Sequence, residues 1–211
     1  MSKPFADRAA EAGSTAGAGA PRRSLTPVVL VFLACLAPVL AAVALYLNPQ
    51  WISGEPSNYG TILEPQHPVP PPAELRLTDL QGQPFDLQAL RGQWVMLTAD
   101  GAACPEECAR KLFIMRQTHA STGKNVVRIE RVWLITDDAP VPERVQQAYE
   151  GMHMLRADPA QVRRFTGVEG PERHIWLIDP LNNLMMQFPE NVDPAKLRRD
   201  VGKLLFASQV G

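Results

Sequence analysis

The hydrophobic pattern of the chain opens with a single long apolar run close to the N-terminus. Residues 28–47 are twenty consecutive residues without a charge, about the length that a helix needs to cross a hydrocarbon core of roughly 30 Å. The run therefore predicts one transmembrane helix. A cleaved signal peptide is the alternative, but the run is longer than a usual signal core and no small-residue cleavage pattern follows it, so we favour an uncleaved anchor.

Charges on the two sides of this run predict its orientation. Arg22 and Arg23 precede it closely, whereas the residues after it, up to Leu75, include glutamates but neither Lys nor Arg. Because positively charged flanks stay in the cytoplasm, we expect a cytoplasmic N-terminus. The chain is thus predicted to be a single-pass protein of the inner (cytoplasmic) membrane, with its C-terminal domain in the periplasm or an equivalent compartment.

The segments on either side of the run lack apolar periodicity. Residues 1–27 are rich in Ala, Gly and Ser and are predicted to form a disordered cytoplasmic tail. Residues 48–73 include prolines at positions 65, 68, 70, 71 and 72, which favour a polyproline-like backbone and predict an extended tether. His67 lies in this tether, and we interpret it as a plain surface residue.

From residue 74 to residue 211, strand and helix patterns alternate. Alternating apolar residues around a turn at Gly82 predict a hairpin. Residues 94–99 read as a buried strand, and residues 105–119 as a helix with Cys108, Leu112 and Met115 on one face. Further strands are predicted at residues 131–136, 153–156, 174–178 and 184–188, and further helices at 143–151, 159–165 and 194–206. This order indicates one α/β domain over residues 74–211.

Composition and charge narrow the classes of function. The formal net charge is -1 and the isoelectric point is about 6.4, so no basic field draws the protein to nucleic acid, and no nucleic-acid partner is expected. Three cysteines are too few for a disulfide-built scaffold. Cys35 lies inside the apolar run, which leaves Cys104 and Cys108 as the pair close enough in sequence to act together.

The cysteine pair lies in the segment CPEEC, between a predicted strand and a predicted amphipathic helix. Cys104 is thereby placed at or next to a helix N-terminus, where unpaired N–H groups and the helix dipole stabilise a thiolate. Cys108 follows one turn later on the same face, with the Cα atoms about 6 Å apart, which suits a disulfide. Glu106 and Glu107 oppose a negative charge nearby. A disulfide and a two-thiolate metal site both remain open.

With these residues in view, the sequence resembles the Sco (SenC-like) family of membrane-anchored, thioredoxin-fold proteins of cytochrome c oxidase assembly. The resemblance lies in LTDLQGQPFDLQALRGQWVMLTAD, CPEEC, RVWLITDD, and HIWLIDPLNNLMMQF followed by a terminal helix. It implies a thioredoxin-like domain with an N-terminal β-hairpin. It also implies Cu(I) held by Cys104, Cys108 and a distant histidine, and disulfide exchange with the copper-site cysteines of a respiratory oxidase subunit. Soft thiolates select Cu(I), and imidazole is an acceptable third ligand.

His174 is the candidate for that histidine. The family's ligand lies about three residues further upstream, where this chain has Pro171, so His174 is either a ligand or a packed strand residue. Pro171 is in turn a candidate for the cis-proline that thioredoxin folds place beside the cysteines. The segment DGAA before Cys104 also lacks the aromatic and hydroxyl residues usual in the family.

Other donor side chains are interpreted as structural. Met152, His153 and Met154 form a triplet of soft donors, and Met185 and Met186 follow in the last hairpin; packing is favoured over metal binding. His119 falls at the end of the cysteine helix, where a cation offsets the helix dipole, so we interpret it as a capping residue.

Three functions follow from these observations. The first is a Sco-like factor that supports oxidase assembly by Cu(I) delivery, thiol–disulfide exchange, or both. The second is a metal-free thiol–disulfide oxidoreductase, in which Cys104 attacks a partner disulfide and Cys108 resolves the mixed disulfide. The third is a non-catalytic oxidase assembly scaffold with a static disulfide. The sequence leaves open whether the chain is an enzyme.

Overall fold

The computed structural model describes residues 25–48, 51 and 58–208, which belong to two compact units divided after Glu55. In the first unit, α1 (Thr26–Leu47) is a helix of 22 residues without a buried side chain. Within the described part of the chain, it is the one helix that by length and composition is able to cross a membrane. The predicted helix is therefore confirmed, and it begins two residues earlier than expected. Most of the predicted tail, residues 1–24, lies outside the described residues.

The second unit is built on an eight-stranded sheet with the order β1-β8-β7-β4-β5-β6-β2-β3. The strands are β1 (Thr61–Pro68), β2 (Leu77–Thr78), β3 (Pro84–Phe85), β4 (Trp94–Asp100), β5 (Ile129–Ile135), β6 (His153–Ala157), β7 (Ile175–Ile178) and β8 (Asn183–Gln187). The helices are α2 (Glu106–Ala120), α3 (Glu143–Ala148), α4 (Pro159–Thr166) and α5 (Pro194–Ala207). Turns of 3₁₀ helix cover Leu87–Leu90, Gly123–Arg128 and Pro171–Arg173.

The centre of the sheet is parallel and its flanks are antiparallel. Strand β4 pairs in parallel with β5, and β5 with β6, whereas β7 runs antiparallel to β4. The first six residues of β4 are all buried, as expected for a strand covered on both faces. The predicted hairpin is also present, because β2 pairs antiparallel with β3 and then joins the edge of β6. The cysteine segment thus follows directly from a buried central strand of the domain.

Each face of the sheet carries its own apolar core. The core beneath α2 and α5 contains, among others, Met96, Cys108, Leu112, Met115, Trp133, Leu197 and Val201. The core beneath α4 contains, among others, Leu97, Val132, Val162, Phe165 and Trp176. Burial of apolar surface on both faces stabilises the layered arrangement, at roughly 25 cal/mol per Å². The predicted α/β class is confirmed, and the cysteine helix α2 is fixed in the first core.

The segment predicted as a tether contributes a strand to the sheet. Residues of β1 pair antiparallel with β8, with Thr61 opposite Gln187 and Pro68 opposite Asn183. Proline lacks a backbone donor but is tolerated on an edge strand, where one side of the backbone needs no partner. The prediction of a tether over residues 48–73 is therefore wrong for residues 61–68. His67 in this strand is half-buried, with Nδ1 3.3 Å from the carbonyl oxygen of Phe165.

The start of the second unit is fixed to its last helix by a buried carboxylate. Oδ2 of Asp200, on α5, accepts hydrogen bonds from the backbone N–H groups of Tyr59 (2.6 Å) and Gly60 (3.0 Å). Only 1% of Asp200 is exposed. A Cβ at residue 60 would lie 2.6 Å from the Met186 sulfur, so a larger residue there would have to displace the Met186 side chain. The Asp200 side chain thus bonds the start of the domain to its last helix.

Candidate redox and metal site

The cysteine segment connects the end of β4 to the start of α2. After Asp100 the chain turns, and the N–H of Cys104 donates to the carbonyl oxygen of Gly101 at 3.1 Å. Pro105 is the N-cap of α2 in an extended conformation, and the helix proper begins at Glu106. The predicted helix boundary is thus correct to within one residue. Cys104 lies just before the helix, and Cys108 lies in its first turn.

The two cysteines form a disulfide with an S–S distance of 2.02 Å and a Cα–Cα distance of 5.0 Å. Cys108 is completely buried and packs in the core beneath α2. Cys104 is only partly buried and contacts the edge of that core. A partner molecule can therefore approach the sulfur of Cys104 more readily than that of Cys108.

The backbone at Cys104 is strained. Its φ angle is +42°, in the left-handed region that a side chain with a Cβ rarely adopts. Such a conformation costs on the order of 1–3 kcal/mol and persists only where the surroundings enforce it. Here the disulfide on one side and the hydrogen bond to Gly101 on the other define the conformation.

Asp137, in the loop after β5, fixes the segment that precedes Cys104. Its two carboxylate oxygens each lie 3.1 Å from the N–H of Ala102, and Oδ1 also accepts from the N–H of Ala139. A Cβ at Gly101 would lie 2.7 Å from Oδ2 of Asp137, so the loop needs glycine at that position. Sequence reasoning missed this role. The signal available in the sequence was the position of Asp137 just after β5. Because β4 and β5 are parallel neighbours, this position lies next to the end of β4, where the cysteine segment begins.

A buried ion pair lies on the inner side of the same segment. Oδ2 of Asp100 lies 2.9 Å from Nζ of Lys111, with 13% and 5% of the two side chains exposed. Lys111 also donates to the carbonyl oxygens of Ala99 (3.2 Å) and Glu172. One side chain of α2 thus binds both the end of β4 and the turn that precedes β7. Sequence reasoning also missed this ion pair. The signal for it was a lysine next to Leu112 on the buried face of α2, because a buried lysine needs a partner for its charge.

His174 directly follows that turn and is half-buried. Its Nδ1 lies 2.9 Å from the carbonyl oxygen of Phe188, and its ring meets the ring of Trp176 edge-on, with centroids 5.7 Å apart. Among the described residues, no group of three or more His, Cys, Asp or Glu side chains is arranged to hold a metal ion. With the disulfide closed, the structure therefore does not assemble His174 and the two cysteines as a three-ligand site.

Pro171 does not have the predicted cis conformation. The cis X-Pro bond in the described part of the chain is Glu64–Pro65. Pro171 instead begins the 3₁₀ turn Pro171–Arg173, where its fixed φ suits the first position, and its side chain is buried. The carbonyl oxygen of the next residue, Glu172, is one of the two carbonyl oxygens that accept hydrogen bonds from Lys111. Pro171 therefore shapes the turn before His174 without a cis bond.

The soft-donor triplet is divided by the alternation of side chains along a strand. Met152 and Met154 are buried in the core beneath α2. His153 lies with Phe85, ring centroids 5.0 Å apart, and its Nε2 is 3.4 Å from Oε2 of Glu130. Because alternate residues of a strand point to opposite faces, the triplet offers no common metal position. Met152 and Met154 thus pack in the core, as the packing interpretation expected.

His119 is half-buried at the end of α2. Burial, and next the positive charge of Arg131, lower the pKa of His119, although the carboxylate of Glu130 and two backbone groups oppose the shift. Its surroundings thus favour the neutral imidazole over the charged capping group that the sequence suggested.

Comparisons with known proteins support the fold. Sco1 from Thermus thermophilus is 20% identical, with a TM-score of 0.54 over 72% of this chain and 96% of that chain. Yeast Sco1 with copper bound is 14% identical, with a TM-score of 0.52 over 74% of this chain and 96% of that chain. BsSco, described as a Sco-family cytochrome c oxidase assembly protein with a disulfide switch, is 13% identical, with a TM-score of 0.51 over 68% of this chain and 96% of that chain.

These similarities show that the domain has a thioredoxin-like fold shared with Sco proteins, as the sequence resemblance implied. A comparison with curated proteins finds no matching sequence. A family model matches residues 94–208, which include the cysteine segment, His174 and all of α5. The chain therefore belongs to the family described as transmembrane-like, thioredoxin-like, C-terminal domain.

Proposed function

We propose that this chain is a membrane-anchored, Sco-like protein that exchanges disulfides through Cys104 and Cys108 with copper-site cysteines of a respiratory oxidase subunit. The observation that carries the proposal is the closed disulfide at the start of α2, with Cys104 partly exposed and Cys108 buried. This asymmetry assigns the two sulfurs different tasks. The proposed location of the domain is the periplasm, on the far side of the membrane from the N-terminus.

The exchange starts from the reduced pair. The Cys104 thiolate attacks a disulfide of the partner, so that one partner sulfur leaves as a thiolate and takes up a proton. Cys108 then loses its proton and attacks the Cys104 sulfur of the mixed disulfide, which releases the second partner thiol. Two electrons pass to the partner, and the Cys104–Cys108 bond closes again. A dithiol reductant of the compartment must then reduce the pair for another cycle.

The protein supports this sequence by holding both sulfurs close together. Cys108 lies in the first turn of α2, within the packed core, and the Cα–Cα distance is 5.0 Å. Because the core fixes Cys108, its sulfur remains within reach of a mixed disulfide at Cys104, which favours fast resolution. The unpaired N–H groups at the start of α2 stabilise negative charge on the Cys104 sulfur.

The test is to trap the mixed disulfide in cells. A full-length Cys108→Ser variant retains the attacking sulfur but cannot resolve, so it should accumulate mixed disulfides that disappear on reduction. A matched Cys104→Ser variant retains only the buried sulfur of the pair and should accumulate far fewer; both variants carry Cys35→Ser. If both variants trap equally little, the pair does not exchange disulfides, and a static structural role becomes the better explanation.

Cu(I) carriage by the reduced pair is a second candidate function. Once the disulfide is reduced, Cys104 and Cys108 offer two soft donors one helical turn apart, which is the donor type that Cu(I) prefers. His174 is the proposed third ligand; Nδ1 is engaged by the Phe188 carbonyl, so Nε2 is the nitrogen left to bind. Yeast Sco1, which shares the fold, has been crystallised with copper.

Copper binding has its own test. The reduced full chain should bind about one equivalent of Cu(I) in competition with a Cu(I) indicator, Cys104→Ala should lose this binding, and His174→Ala should weaken it about tenfold or more. His67→Ala is a matched control, because His67 is also half-buried and also lies near a backbone carbonyl. If the wild type binds no more tightly than a variant without both cysteines, the copper function is wrong.

A further inference from the structure

Among the ion pairs of the described residues, the pair of Asp100 and Lys111 is the most deeply buried, and it lies in the two segments that flank the cysteine loop. Nζ of Lys111 is 2.9 Å from Oδ2 of Asp100, and only 5% of the lysine and 13% of the aspartate side chain are exposed. Lys111 additionally binds two backbone carbonyls, so its three donors are all directed to partners. Neither charge takes part in the exchange described above.

Both members of the ion pair lie in segments that adjoin the cysteines. Lys111 is three residues after Cys108 on α2, a spacing that brings side chains to the same side of a helix. Asp100 accepts a hydrogen bond from the N–H of Gly101 at 2.9 Å, and the carbonyl of Gly101 accepts from the N–H of Cys104. One charge therefore approaches the disulfide from α2 and the other from the end of β4.

Burial makes these two charges more effective than others nearby. The neighbouring pair Glu107 and Arg110 has a longer N–O distance, 3.6 Å, and its side chains are 75% and 38% exposed. Exposed charges are strongly screened by water and salt, whereas buried charges are screened much less. A change at Asp100 or Lys111 should therefore act on the sulfurs more strongly than a change at Arg110.

We propose that Asp100 and Lys111 act in opposite directions on the redox equilibrium of the Cys104–Cys108 disulfide, so that their pairing prevents the shift that either buried charge alone would cause. Reduction by dithiothreitol breaks the S–S bond, and two electrons pass from dithiothreitol, which closes its own cyclic disulfide. The closed Cys104–Cys108 disulfide carries no charge, whereas the two reduced cysteines carry negative charge on sulfur whenever a thiol has lost its proton. The two states therefore respond differently to a nearby charge. The inference rests on the proposed function only in taking Cys104 and Cys108 as a redox-active pair.

Removal of one partner leaves the charge of the other uncompensated. Lys111→Met leaves the Asp100 carboxylate, which disfavours the reduced form, so the equilibrium constant for reduction by dithiothreitol should fall. Asp100→Asn leaves the Lys111 ammonium, which favours the reduced form, so the constant should rise. Coulomb's law gives about a tenfold change for two unit charges about 10 Å apart at an effective dielectric constant of about 20, and we expect shifts of this order. For a two-electron couple, a tenfold change is about 30 mV.

The experiment measures these constants for the purified full chain in detergent, in dithiothreitol buffers at about pH 8.5, where free thiols are partly ionised. All variants carry Cys35→Ser, so that Cys104 and Cys108 are the reactive cysteines. Lys111→Met and Asp100→Asn should shift the constant in opposite directions, and the double variant should return to within about threefold of the parent. Arg110→Met, which removes an exposed cation from the same helix, should shift it less than Lys111→Met.

Opposite shifts distinguish a charge effect from loss of structure. If the pair acted only by holding the fold, both single variants would shift the constant in the same direction or not at all, and either result overturns the proposal. If Lys111→Met does not fold, the other two variants still test the proposal. Asp100→Asn must raise the equilibrium constant for reduction, and the double variant must return it to the value of the parent. No oxidase and no copper are used, so failure of the trapping or Cu(I) experiments is a separate result.

Discussion

The carboxylate of Asp200 provides a sharp test of how the domain is held together. Asp200→Ala removes the acceptor for the N–H groups of Tyr59 and Gly60. An unsatisfied buried donor costs about 1–3 kcal/mol. We take about 2 kcal/mol for the fully buried bond to Gly60 and about 1 kcal/mol for the part-buried bond to Tyr59. Since Oδ1 of Asp200 has no partner among the described residues, its loss returns some desolvation energy, about 1 kcal/mol.

The net expectation is a loss of about 2 kcal/mol in the free energy of unfolding. With a slope of about 2 kcal/mol/M in urea, the unfolding midpoint should fall by about 1 M. The assay is urea unfolding of the full chain in detergent, followed by tryptophan fluorescence. Asp200→Asn retains one acceptor oxygen, so its loss in the free energy of unfolding should be less than half that of Asp200→Ala. Glu190→Ala removes an exposed carboxylate and should change the urea midpoint little.

Hydrogen exchange adds a local readout to the same variants. In Asp200→Ala, the amides of Tyr59 and Gly60 should lose protection before the amides of β4 do, since the substitution releases the start of the domain first. The reasoning is refuted if Asp200→Ala leaves both the urea midpoint and the exchange of these two amides unchanged. Such a result would mean that β1 pairing and the hydrogen bonds of the Tyr59 hydroxyl fix the start of the domain without Asp200.

Three further predictions concern the cysteine loop, pH and orientation. Gly101→Ala places a Cβ against the Asp137 carboxylate and should lower the free energy of unfolding by about 1–3 kcal/mol in urea titrations, whereas Gly202→Ala, with open space around it, should be neutral or stabilising. Because burial lowers the pKa of His119, the unfolded chain binds a proton at higher pH than the folded chain. The free energy of unfolding should therefore fall as the pH drops below about 6.5 toward the folded pKa, and His119→Gln should flatten this dependence in urea titrations at several pH values. After reduction of intact spheroplasts, a membrane-impermeant maleimide should label Cys104; labelling only after lysis would show that the orientation is reversed.

The elements best predicted from the sequence are those with strong local signals. The apolar run gave α1, and the apolar strand before CPEEC, followed by the spacing of Cys108, Leu112 and Met115, gave β4 and α2. In these segments the local pattern and the tertiary environment agree, because each buried face continues over several residues. The same geometry allowed the disulfide without deciding between it and a two-thiolate metal site, since a four-residue spacing at a helix start brings the two Cα atoms within bonding range.

The parts that the sequence did not predict depend on contacts between distant segments. Strand β1 is rich in proline, which locally favours an extended tether, and only its pairing with β8 makes it part of the sheet. Lys111 has three partners in two other segments, and Asp137 reaches across from the next strand. The surroundings of His174 are likewise set by Phe188 and Trp176, fourteen and two residues away, which no local pattern specifies.

The eight-stranded sheet ends in two edges that are both poor templates for another chain. At one edge, β3 is only two residues long. At the other, β1 contains Pro65 and Pro68, which lack N–H donors, and its pairing register shifts between Ile62 and His67. Short, irregular and proline-containing edges hinder the strand addition that leads to aggregation. For copies of a protein concentrated in one membrane plane, where encounters are frequent, these blunted edges would keep neighbouring domains from joining through their sheets.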